Sequence, residues 1–149
     1  MAQSLTVTVE GNPFLDGSEP AKVILDWVSA SGGTVSLAVA STYATAVAAR
    51  GGLGGPRPSK IRGKITALEA APGLNGNLST ALPTNLYDIT LLDAHSLDVL
   101  DGVGMNRSGT VADVVYPNSP IPVDSDLTLT IANACDTKKG RIIVTLDKY

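Results

Sequence analysis

The lone histidine of this chain, His95, sits in the stretch LLDAHSLDVLDG, close to Asp93, Asp98 and Asp101. An imidazole beside a carboxylate is raw material for general acid–base catalysis. Such a base also needs an activated nucleophile within hydrogen-bond range, and local spacing supplies no Ser-His-Asp or Cys-His arrangement. The three aspartates bring together oxygen ligands of the kind that Ca2+ or Mg2+ takes. Their spacing departs from the EF-hand loop, which places ligands at alternate positions and closes on Glu. The simpler expectation is that Asp93 closes a turn by accepting main-chain amides and that His95 is a solvated turn residue. Cys135 lies near Lys138 and Lys139, cations of the sort that activate a thiol. Being the only cysteine, it offers neither an intrachain disulfide nor a cysteine metal cage. The glycine-rich run GGLGGPRP, residues 51–58, resembles a phosphate cradle only superficially. No Lys-Ser/Thr pair follows its glycines, and Pro56 and Pro58 remove two amides from the nest such a loop requires. The expectation is therefore a surface loop there, and no catalytic residue, metal site or cofactor anywhere.

Bulk properties narrow the classes further. A chain of 149 residues is one ordinary domain, long enough to bury a core without metal or disulfide staples. A net charge of −3 provides no basic field for capturing a phosphate backbone, which argues against direct nucleic-acid binding. Charged residues make up 17%, below the ~25% of average proteins, so part of the surface is available for contact with other proteins. No apolar run approaches the ~20 residues that span a bilayer, and MAQSLTVTVEG lacks the basic and apolar regions of a secretion signal. The sequence thus predicts no membrane partner and a cytosolic site of synthesis.

The elements that must position these residues read as short strands. Residues 4–10 alternate strictly, with Leu5, Val7 and Val9 on one face. Residues 22–29 repeat the pattern through Val23, Leu25 and Trp27, the only tryptophan, which is expected in a core or an interface. Ser31-Gly32-Gly33 then leads to Val35, Leu37 and Val39, and the two runs together predict a β-hairpin. Residues 43–50 are alanine-rich and predict a helical turn or irregular segment. Residues 61–71 fit helix or strand equally by periodicity, with Pro72-Gly73 favouring a strand, and residues 74–85, polar and rich in Gly, Asn, Ser and Pro, predict a long connection. Tyr87, Ile89 and Leu91 alternate with Asp88 and Thr90, predicting a strand followed by a tight reversal. A further strand is expected over residues 110–116, ended by Pro117, Pro120 and Pro122. In the last two strands Leu127, Leu129 and Ile131 face Ile142, Val144 and Leu146. The result is an all-β, single-domain β-sandwich of seven or eight short strands with little helix, for which jelly-roll connections are one arrangement. No repeat of fixed period is present.

Residues 86–108, LYDITLLDAHSLDVLDGVGMNRS, also resemble a signature of small tailed-bacteriophage virion proteins, those placed among head decoration or capsid cementing proteins. The matching positions include Tyr87, Asp88, Leu91, Asp93, Asp98, Val99, Leu100, Gly102, Gly104, Asn106 and Ser108. Ser96 departs from the pattern, since relatives carry Gly there. The resemblance continues in LTLTIANACDTKKGRIIVTL and covers the C-terminal half to two thirds of the chain. It implies a structural virion protein, not an enzyme, on the outer capsid surface. Its partners would be the major capsid protein and further copies of itself, as a dimer or trimer. The expected contact residues are Leu5, Thr6, Val7 and Thr8, with residues 1–10 either an extended or exchanged N-terminal arm or an edge strand that closes its own sandwich. To these are added Gly54, Gly55 and Arg57 in the glycine-rich loop and Asn75 and Asn77 in the long connection. Two other readings stand beside this one: a phage tail-tube or tail-tip protein, and a small cytosolic carbohydrate- or ligand-binding module with Trp27 and Tyr43 as stacking platforms.

Overall fold

Alternating apolar side chains need a second layer to cover them, and here two β-sheets cover one another. The computed structural model describes residues 2–11, 13, 20–49 and 60–148. Among the described residues there are nine strands: β1 (Ser4–Glu10), β2 (Ala21–Val28), β3 (Val35–Ala38), β4 (Ile61–Pro72), β5 (Asp88–Leu92), β6 (Asp113–Val115), β7 (Ile121–Ser125), β8 (Thr128–Ala132) and β9 (Lys139–Asp147). One helix, α1 (Val39–Ala49), and one 3-10 turn (Leu74–Gly76) complete the fold. The larger sheet runs β1-β2-β9-β4-β6, with β7 also on β4, and the smaller runs β3-β8-β5. The all-β sandwich expected from the alternation is what forms.

The core lies between the sheets. Val23, Leu25, Trp27, Ile142, Val144 and Leu146 of the larger sheet meet Ile89, Leu91, Leu127, Leu129 and Ile131 from the smaller sheet side, all at most 3% exposed. Burying each such side chain stabilises the fold by about 1.5–3 kcal/mol. Trp27 and Tyr87 join the layers, with ring centroids 5.7 Å apart and planes tilted by 47°. The cavity left among Val23, Leu25, Leu127 and Val144 is only about 10 Å3, room for a single water at most.

Several sequence expectations need correction. β2 and β3 do not form a hairpin: β2 pairs with β1 and β9, whereas β3 pairs with β8 in the opposite sheet. The Ser31-Gly32-Gly33 segment is an arch between layers. Its partner arch carries Cys135: buried Ser29 donates its hydroxyl to the Cys135 carbonyl (2.7 Å) and accepts the Lys138 amide (2.8 Å). β8 and β9 likewise lie in different sheets, and their apolar residues face one another through the core. Strand β3 stops at Ala38, and Val39 begins α1. Asp126 holds that start by accepting the Ala40 amide (2.8 Å) and the Ser41 hydroxyl (2.7 Å), a cap supplied from distant sequence.

The ninth strand, β7, was hidden by its prolines. It pairs with β4 alone, with Pro122 opposite Lys64, so the missing proline amide removes no ladder bond on a second side. β6 is shorter than the expected run and shares that same side of β4.

Candidate contact face

The segment with the densest polar pattern, residues 86–108, folds as a strap along the free edge of β5. Val99 donates to the Leu91 carbonyl (2.8 Å), Ile89 to Gly104 (2.9 Å) and Arg107 to Tyr87 (2.7 Å), so the strap satisfies an edge that would otherwise invite another strand. Gly104 is required there, because a Cβ would collide with the Ile89 carbonyl. The acidic residues hold the strap in place. Asp93 accepts the His95 and Leu97 amides at 2.8 and 3.0 Å. Those two bonds, the Leu97 one foremost, hold its carboxyl below the usual carboxylate range. Asp98 accepts amides from Leu91, Leu100 and Gly102 at 3.2, 3.0 and 3.1 Å. Asp88 accepts the Asn106 amide (2.9 Å) and the Asn133 side chain (2.7 Å), tying the strap to the end of β8.

His95 is an exposed turn residue, and no group of three or more His, Cys, Asp or Glu among the described residues is disposed to hold a metal ion. Cys135 is exposed, with a positive φ of 73°. Arg107 lies 3.7 Å from Asp113 across the strap. Trp27, at 1% exposure, is a core residue and not a stacking platform for a ligand, and Tyr43 packs partly buried against that core.

The expected contact residues fall into three groups. Leu5 and Val7 point into the core, while Thr6 and Thr8 are exposed on the opposite face of β1. β1 is paired along its whole length with β2. Asn75 and Asn77 are exposed in the 3-10 turn and its continuation, where the Asn77 side chain accepts the Ser79 and Thr80 amides, both at 3.0 Å. This connection is not structureless: Gly73 donates to Lys139, Leu78 to Pro72 and Leu74 to Thr80. Gly54, Gly55 and Arg57, with the rest of the glycine-rich loop, lie outside the described residues.

Strand register puts Thr6 and Thr8 on the outer face of the larger sheet, and the turn that carries Asn75 and Asn77 lies over the same face at β4 and β9. Across its centre runs the row Thr8, Ile24, Ile143, Glu69 and Val114, one residue from each of five neighbouring strands. On one side lies the row Thr6, Asp26, Arg141 and Ala71. The 3-10 turn rises over its end, because Gly76 packs against Ala71 and Arg141. Leu74 and Leu78, 39% and 42% exposed, are carried there, over β4 and β9 and on the far side of β2 from Thr6 and Thr8.

Most charges on this face stand opposite their counter-charge on the next strand, Glu69 between Ile143 and Val114 being the exception. Glu10 is opposite Lys22, Asp26 opposite Arg141 and Lys64 opposite Asp147. The Asp26–Arg141 pair is bidentate at 2.7 and 2.9 Å, and the aspartate raises the guanidinium pKa further above its ordinary value. Ile24, Ile143 and Val114 were missed as surface residues by reading one alternating face. The signal was present: Val23-Ile24-Leu25 and Ile142-Ile143-Val144 are unbroken apolar triplets, which make both faces of a strand apolar.

No protein family, no curated protein and no solved structure matches this chain. No helix among the described residues is long and apolar enough to cross a membrane.

Proposed function

We propose that this protein is a structural component of a tailed-bacteriophage virion, bound to the outer capsid surface where it clamps neighbouring capsomers and stabilises the head. The observation that carries the reading is the use made of the acids in residues 86–108. Asp88, Asp93 and Asp98 all accept main-chain amides, so the segment that resembles the virion-protein signature serves as a strap that closes the fold. A sandwich with a broad outer face, on which Asp26 and Arg141 are paired within the sheet, has the features of a clip. Spanning two shell subunits turns one modest contact into several tethered ones, and avidity follows without a covalent bond. The partners are then the major capsid protein and other copies of this chain, in a virion assembled in the host cytoplasm.

The test is co-sedimentation of the purified protein with capsids that lack it, followed by electron microscopy of labelled particles. Saturable binding with label over the head is the expected result. Label on tails instead would favour the tail-tube or tail-tip reading, and no binding to either part would overturn both.

A further inference from the structure

We infer that Asn75 is a site of spontaneous covalent modification, and that the turn around it sets the rate. Asn75-Gly76 is the only place in the chain where asparagine precedes glycine. In such a pair the Gly76 main-chain nitrogen attacks Cγ of the Asn75 side chain, because glycine has no side chain to hinder the approach. The new N–Cγ bond closes a succinimide ring, and the side-chain NH2 leaves with the Gly76 amide proton as ammonia. Water then adds to one imide carbonyl and breaks its bond to nitrogen. Opening at Cγ gives aspartate, and opening at the main-chain carbonyl gives isoaspartate. No electrons change hands, and water is the co-reactant. The inference does not depend on the capsid reading.

The fold calls for both residues of this labile pair and also restrains them. Gly76 has a φ of 74°, and a Cβ there would lie 3.0 Å from the Ala71 Cβ and 3.2 Å from the Arg141 Cβ, so glycine is what lets the turn lie closely on β4 and β9. Asn75 is left-handed as well, with φ 50° and ψ 31°, a conformation that asparagine tolerates better than most residues. Its side chain is exposed to the water that the reaction needs. At that ψ, however, the Gly76 nitrogen lies on the far side of the Cα–C bond from the Asn75 Cβ, out of reach of Cγ. The Gly76 amide is also engaged, donating to the Gly73 carbonyl at 3.0 Å. Ring closure therefore waits for the turn to open, and its rate is the intrinsic rate multiplied by the fraction of time spent open. Asn77 opposes opening, because its side chain accepts the Ser79 and Thr80 amides, and so does the Leu78 amide on the Pro72 carbonyl. Isoaspartate adds an atom to the main chain between Gly73 and Gly76, so the modified turn does not reclose over Ala71 and Arg141.

The experiment incubates the full chain at mildly alkaline pH, both folded and in guanidinium chloride, and follows Asn75 by peptide mapping that separates asparagine, aspartate and isoaspartate. The unfolded chain converts fastest and the folded wild type slowest. Asn77→Ala, shown to be folded by circular dichroism, converts Asn75 about tenfold faster than the wild type, the factor that losing its two hydrogen bonds represents. A second measurement needs no variant: in the wild type, the slowing of hydrogen exchange at the Gly76 amide matches the slowing of conversion, because one opening releases both. Equal conversion in the folded and unfolded chains overturns the inference, as does an Asn77→Ala protein no faster than the wild type. So does a mismatch between exchange and conversion, conversion that begins at another asparagine, or an Asn75 that stays intact even in the unfolded chain.

Discussion

The indole of Trp27 rests on the backbone of Gly140, its cross-strand partner in β9. A Cβ built on Gly140 would lie 2.6 Å from Cζ2 and 2.8 Å from Nε1 of that ring, so glycine is what leaves room for the largest side chain of the core. Gly140→Ala forces the ring or the strand to move, and overpacking of this kind costs about 1–3 kcal/mol. Denaturant unfolding followed by Trp27 fluorescence measures the loss; an unchanged midpoint would show that the two do not touch in solution.

Asp98 is the pin of the strap. Its carboxylate takes three main-chain amides, so Asp98→Ala leaves partly buried donors without an acceptor, and the expected loss is about 2–3 kcal/mol. Faster hydrogen exchange at the Leu91 and Leu100 amides should accompany it. If exchange there stays as slow as in the wild type, the strap is held by other contacts.

Tyr87 and Asp93 contribute to the pH dependence of stability in opposite senses. Burial pushes the Tyr87 phenol up to about 12. The folded state thus holds this proton more tightly than the unfolded state, whose phenol titrates near ~10. That contribution is fully present below pH ~10 and is lost as the pH rises from there toward ~12. Asp93 works in the opposite sense, because its carboxyl is held low by the Leu97 and His95 amides. Its contribution is present above the unfolded value near ~3.9 and is lost as the pH falls below it. Denaturation midpoints across pH should therefore decline at both ends. Tyr87→Phe should flatten the alkaline decline and Asp93→Ala part of the acid decline.

Ser96 occupies the turn with a φ of 63°, a left-handed conformation that disfavours a Cβ. Ser96→Gly relieves the strain but adds freedom to the unfolded chain, and the expected net gain is about 0.5 kcal/mol. A lowered denaturation midpoint would mean that the serine contributes a contact of its own.

The N-terminal strand supplies the last test. β1 pairs with β2 from Ser4 to Glu10, and Leu5 and Val7 are 8% and 7% exposed. Deleting residues 1–10 therefore removes core side chains worth about 1.5–3 kcal/mol each and should leave a largely unfolded protein by circular dichroism. A truncated protein that stays β-rich but no longer binds capsids or its own copies would identify β1 as an arm instead.

What the residues determined by themselves is local. The alternation in 4–10, 22–28 and 127–131 is a property of consecutive side chains, and it fixed which residues face the core before any partner strand was known. The Asp93 turn was legible for the same reason, since a short carboxylate reaches amides two and four residues away. Tertiary structure decided the pairings. Nothing near Ser31-Gly32-Gly33 tells a hairpin from an arch; β3 takes β8 as its partner because the two layers must cover each other. Val39 obeys the strand pattern yet begins a helix, because Asp126, far along the chain, caps it. The outer face belongs to this second category. Ile24 and Ile143 lie far apart in sequence, and only the β2–β9 register sets them side by side, because hydrogen bonding between strands is a long-range choice that local periodicity does not encode.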